Sequence, residues 1–223
     1  MDKIDIADLF GYNILYQIGD MMKKFNNIQT KDHIADLIRN EILAGNMKAG
    51  EELTQEVLAE TLGVSRMPVR EALQTLAQEG FVERMQNRHI QVVALDSSQI
   101  KEIFCVLASI ETDVAKMLLA KEVDTALLDI VLQQIVESRS KVNLVDLEMS
   151  FHNILLRLLE NKYLKQMHDK LMRGYIAYAI EHLGDEQKRK QNLINIIEAL
   201  INREIAQLKP AFEAYYQYYA KQF

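Results

Sequence analysis

Arg66 and Arg70 stand four residues apart, so on a helix their guanidinium groups share one face. Paired guanidinium donors read guanine O6 and N7 in the major groove of DNA. The neighbours of the two arginines place them at a helix start. Ser65 occupies the N-cap position, where a side-chain oxygen serves the first turn. Pro68 falls inside that turn, where a missing N–H costs least. Upstream, Leu58, Ala59 and Leu62 give an apolar face at helical spacing, and Gly63 ends that helix in a tight turn. Downstream, Val69, Leu73, Leu76 and Ala77 repeat at three and four residues until Gly80. Two helices, a short turn and a basic N-terminal end describe a helix-turn-helix whose second helix presents that end to base edges. No phosphate-binding loop, nucleophile elbow or HExxH pattern occurs in the chain, and no enzymatic activity is expected of it.

Elements on either side must hold this motif in place. The 223 residues suffice for two small domains, each with its own core. With 49% hydrophobic and 26% charged residues the composition is globular rather than disordered, and two prolines with eight glycines favour long helices. A single cysteine, Cys105, excludes an intramolecular disulfide framework and fits a reducing cytoplasm. No apolar run approaches a membrane span. The net charge of −6 argues against a non-specific nucleic-acid coater but leaves room for a local basic face from Lys31, Arg39, Lys48, Arg66, Arg70, Arg84 and Arg88. Arg39 and Lys48 are expected to be ordinary solvated charges.

Residues 1–27 carry Ile4, Leu9, Ile14 and Ile18 in rough helical periodicity and are expected to form an amphipathic extension. The spacing predicts helices at 28–44, 54–62 and 65–79. Apolar residues at 81–84 and 90–93, around a polar tip from Met85 to His89, predict a two-stranded wing. Beyond Asp96, helical spacing predicts six helices at 97–120, 124–139, 144–160, 162–183, 186–202 and 204–221, with a kink at Pro210. Cys105 and the methionines at 117, 149, 167 and 172 are expected in the core, and the tyrosines near the C-terminus are expected to pack the last helix.

The stretch from about Asp32 to Leu95 resembles the winged-helix DNA-binding domain of GntR-type transcription regulators. The resemblance rests on Ile42-Leu43-Ala44-Gly45, Ala49-Gly50, Leu62-Gly63-Val64-Ser65-Arg66, Pro68-Val69-Arg70-Glu71-Ala72-Leu73 and Glu79-Gly80. Ile100 to Phe223 resembles the all-helical FCD effector domain of the FadR branch, through Ile110-Glu111, Phe151-His152, Asn161, Leu164 and Glu198-Ala199-Leu200. These resemblances imply a mainly α protein: a winged helix-turn-helix at 28–95, following the extension, and a helical effector-binding and dimerisation bundle at 97–223. They imply a cytoplasmic homodimer on a palindromic operator, more often a repressor released by its effector than an activator. Arg66 and Arg70 would contact bases, Ser65 and Met67 phosphate or nearby base edges, and Lys31, Arg84, Arg88 and His89 the backbone. The family's usual Arg-Gly at the wing tip is Arg88-His89 here.

Many members of that branch hold a divalent metal with a carboxylate and a histidine four residues apart, joined by two later histidines. Glu148 and His152 match the first pair, while the later positions fall on Leu193 and Tyr215. An arginine usual four residues before Glu111 is Leu107. His168 and His182 are substitutes that no spacing demands. The resemblance therefore designates Leu107, Glu111, Glu148, His152, Leu193 and Tyr215 as the effector pocket, with no cofactor expected and Glu148 and His152 left as residual metal candidates. The two leucines imply a more apolar pocket and a small, partly apolar effector. The alternative is a ligand-independent DNA-binding regulator whose pocket has degenerated.

Overall fold

The computed structural model describes residues 30–223 except positions 87–88, 94–95 and 124, and gives the backbone alone at 30 and 141–143. The expected extension at 1–27 and the wing residue Arg88 lie outside the described residues. The chain divides after residue 95 into two compact units.

In the first unit, α1 (Thr30–Leu43) buries Ile34, Leu37, Ile38 and Ile42, the stripe its spacing predicts. Strand β1 (Glu52–Leu53) follows, then α2 (Gln55–Leu62), whose N-cap Thr54 accepts a bond from the Val57 N–H. Gly63 closes α2 at φ 64°, a left-handed conformation that suits glycine. The Val64 N–H then reaches the Ala59 carbonyl, 3.0 Å away, satisfying a helix-end acceptor. Helix α3 (Arg66–Glu79) buries Val69, Ala72, Leu73 and Leu76. Ser65 holds the extended N-cap backbone, but its side chain makes no capping bond, contrary to expectation. The backbone turn places α3 without it. Strands β2 (Val82–Arg84) and β3 (Ile90–Val92) form the wing and extend to β1 in an antiparallel sheet of order β1-β3-β2.

Arg39 departs from its expected place in solvent. It is 5% exposed, with Nε and Nη2 donating to Glu79 Oε2 at 2.9 and 2.6 Å and Nη1 donating to Asp36. Its guanidinium also lies 5.7 Å from the centre of the Phe81 ring. The group thus ties α1 to the end of α3. Lys48 is exposed, as expected.

The second unit is wholly helical among the described residues: α4 (Ser97–Ala120), α5 (Ala126–Glu137), α6 (Lys141–Leu159), α7 (Lys162–Met172), α8 (Tyr175–His182), α9 (Glu186–Ile201) and α10 (Ile205–Ala220). The single helix expected over 162–183 is broken at Gly174, whose φ of 89° and ψ of −118° belong to neither helix. Helix α10 continues through Pro210 and packs chiefly on α4 and α9. Phe104, Leu107, Glu111 and Ala115 of α4 face Phe212, Tyr215, Tyr216 and Tyr219 of α10 in the buried interior. Cys105 lies on the outer side of α4 and is exposed, and Met117 and Met167 are exposed as well; only Met172 of the four methionines is fully in the core.

Arg39→Ala should cost about 2 kcal/mol, less than a fully buried pair because Glu79 keeps some solvent. Urea unfolding followed by circular dichroism measures the loss.

Candidate functional site

In the first unit, Ser65, Arg66, Met67 and Arg70 are all exposed at the N-terminal end of α3, opposite its buried stripe. Arg66 is ion-paired with Glu56 of α2, and both side chains are 67% exposed, so water screens the pair and leaves it easy to exchange. Among the described residues Arg70 makes no ion pair. Lys31, Arg84 and His89 are exposed too. The His89 Nδ1 lies 2.8 Å from Glu52 of β1, and the Met85 N–H meets the His89 carbonyl at 2.9 Å to close the wing hairpin. This surface offers basic side chains of which two are held by carboxylates. A phosphate or base edge can replace those carboxylates at small cost.

The interior of the second unit carries a different chemistry. Glu148, on α6, is wholly buried. Its Oε1 accepts from the Tyr215 and Tyr219 hydroxyls at 2.8 and 2.6 Å, and its Oε2 accepts from Arg189 Nη2 at 2.6 Å. Burial, with the Glu148 charge added, pushes both phenols well above the ordinary tyrosine range, so they keep their protons and donate. Glu111, on α4, is equally buried and receives both imidazoles on one oxygen: His152 Nδ1 at 2.7 Å and His168 Nε2 at 2.6 Å. His152 also meets the Tyr215 oxygen through Nε2, at 2.7 Å.

Tyr215 donates its proton to Glu148, and its oxygen also meets His152 Nε2. Burial alone would raise the Glu111 carboxyl, but the His152 charge and the bonds from His152 and His168 outweigh it and lower it to about 2. An ionised Glu111 only accepts, so His152 Nδ1 donates to it. His152 thus links the two carboxylates, touching Glu111 directly and Glu148 through Tyr215. The other oxygen of Glu111 meets no donor in hydrogen-bond geometry, although Tyr216 stands beside it and its phenol is pushed up by burial and by the Glu111 charge.

Four of the six designated pocket residues, Glu111, Glu148, His152 and Tyr215, therefore meet in one network. Leu107 and Leu193 are fully buried and hydrophobic beside it. The interior is more polar than the two leucines implied, because Arg189 and His168 enter it. Arg189 lies inside the run Lys188-Arg189-Lys190, which reads as a solvated face. Its signal was the stripe of Arg189, Leu193, Ile196 and Leu200, all buried on one side of α9.

The metal set designated by resemblance does not fit this interior. Both Glu148 oxygens are occupied, a guanidinium already supplies the positive charge, and Leu193 has no donor atom. Beside the network, a cavity of about 260 Å³ opens among α6, α7 and α8, lined by His152, His168, Asn153, Asp169 and Arg173 together with Met149, Met172 and Ala177. His152 alone of the designated pocket residues lines it.

Two outcomes check the network. Tyr219→Phe should destabilise the fold by about 2 kcal/mol, the worth of a buried bond to a charged group, measured by denaturant unfolding. Glu111 is lowered on folding from about 4.5 to about 2, so its stabilisation is present above pH 4.5 and drains away as the pH falls toward 2. Acid unfolding curves should show this limb in the wild-type chain and a flatter one in Glu111→Gln.

The sequence pattern of "Bacterial regulatory proteins, gntR family" matches residues 30–92, and that of the FCD domain matches residues 102–217, more than half the chain. A Bacillus subtilis HTH-type transcriptional regulator, YdhC, is 26% identical over 137 residues, covering 58% of this chain and 61% of the relative. The gluconate operon transcriptional repressor of the same organism is 27% identical over 156 residues, covering 67% and 63%. The match thus spans about three fifths of the length of these relatives. The solved structure of Lar, described as controlling the Listeria monocytogenes agr system, superposes with a TM-score of 0.61 at 18% identity, covering 89% of this chain and 97% of its own, which is a likeness of fold. Proteins of this kind are transcription regulators and not enzymes. By both domain matches, the chain belongs to the GntR family of bacterial regulatory proteins and carries an FCD domain.

Proposed function

We propose that the chain is a ligand-responsive transcription regulator that binds a palindromic operator as a homodimer and represses until a small effector releases it. The observation that carries this reading is the exposed N-terminal end of α3, with Ser65, Arg66, Met67 and Arg70 facing outward over a buried apolar stripe. Arg66 and Arg70 take the base contacts, Ser65 and Met67 the neighbouring edges or phosphates, and Lys31, Arg84, Arg88 and His89 the backbone. The repressor names of the similar proteins support the direction of regulation.

The effector enters the cavity beside His152 and His168. Met149 and Met172 give it an apolar wall, Asn153 and Arg173 supply a donor and a cation, and the Asp169 carboxylate is answered by Lys165. A small, partly apolar acid suits that lining. Its binding shifts the population of dimers able to grip both half-sites. A second reading, a ligand-independent regulator, draws support from Arg189, which fills the polar interior with a fixed ion pair. Compounds that raise the melting temperature distinguish the two, because the second reading has no ligand to find.

Footprinting on the chain's own upstream DNA tests the DNA-binding reading. A symmetric protected site is expected, and Arg70→Ala should weaken it by roughly 1–3 kcal/mol per half-site while relaxing base preference. Equal losses on that site and on random DNA would contradict the assigned role.

A further inference from the structure

We infer that Glu56 is a specificity-determining residue for DNA, holding Arg66 in the pose that reads guanine; the inference rests on the DNA-binding role proposed above. Glu56 lies in the first turn of α2, and Arg66 opens α3. Both backbones are set locally. Thr54 caps the start of α2, and Gly63 turns the chain between the two helices. The dipole of α2 favours a carboxylate in its first turn. Beside the exposed end of α3, however, the same carboxylate faces the phosphates of any bound DNA and is repelled by them. Glu56 therefore weakens binding to DNA of every sequence unless its bond to Arg66 persists on one kind of site.

The ion pair engages Arg66 through Nη2 alone. A guanidinium presents two edges, each with two parallel N–H donors, so one edge stays open while the other is held. The open edge matches O6 and N7 of guanine. Arg66 keeps Glu56 while it reads that base. On DNA without the guanine, Arg66 turns to a phosphate oxygen and gives Glu56 up. An exposed pair is worth little, and that small worth separates the two classes of DNA. A homodimer counts it twice, once in each half-site. Arg70, one turn further along α3, is exposed and makes no ion pair among the described residues, so its pose carries no such restraint.

Fluorescence anisotropy of the full chain tests this on three kinds of DNA: its footprinted site, single-base-pair variants of that site, and random sequence. Glu56→Gln should lower the preference for the site over random DNA by about 2–5-fold per half-site. The loss should fall at the base pair whose preference Arg66→Ala removes, and not at the one assigned to Arg70. In the Arg66→Ala background, Glu56→Gln should change the preference no further. Glu60→Gln removes the same charge one turn along α2, from an exposed residue with no ion pair among the described residues, and should leave the preference intact. An unchanged preference in Glu56→Gln would overturn the inference while the DNA-binding reading stands. So would an equal change on site and random DNA, or an equal loss in Glu60→Gln. A wild-type chain with no preferred site would overturn both.

Discussion

Two carboxylates buried where water does not reach them set the terms for the helical unit. Glu111 and Glu148 sit on facing helices, and an unpaired charge there would cost more than the fold can spare. Arg189 answers Glu148, and His152 and His168 both bond to Glu111, with Tyr215 bonded to both His152 and Glu148. Five helices, α4, α6, α7, α9 and α10, must keep their relative places for this network to close. A polar interior of this kind specifies one packing where leucines alone would tolerate several. It also borders the cavity, because His152 and His168 both line it.

The DNA-facing unit follows a different logic. Its core is apolar, and its order comes from caps, glycines and a three-stranded sheet. The basic residues at the N-terminal end of α3 stand free or in exposed pairs, so they exchange partners at little cost. Arg39, by contrast, is withdrawn into the fold and serves to hold α1 against α3. Residues of one chemical type thus divide between scaffold and surface according to burial alone.

Local signals made the first unit legible from sequence. Gly63 and Gly80, the apolar periods and Pro68 each act within a few residues, and the helices and wing lie close to where those signals put them. Arg39 reads as a solvated charge in sequence because its partner Glu79 is 40 residues away, beyond any periodic pattern. Ser65 was given a capping bond that the backbone did not need. In the second unit the shared helix face of Glu148 and His152 is readable, although the two meet only through Tyr215, whereas Arg189 lies in a charged run and His168 has no spacing to recommend it. The break at Gly174 leaves no mark in the apolar spacing, which continues across it.

The account stands most directly on whether the chain's grip on DNA answers to a small molecule. Affinity of the purified protein for its own upstream DNA, measured with and without a series of small organic acids of increasing apolar size, is the decisive quantity. The expected result is tight binding released by one class of acid, with the same class raising the melting temperature. Tight binding that no compound alters would contradict a sensing role for the helical unit.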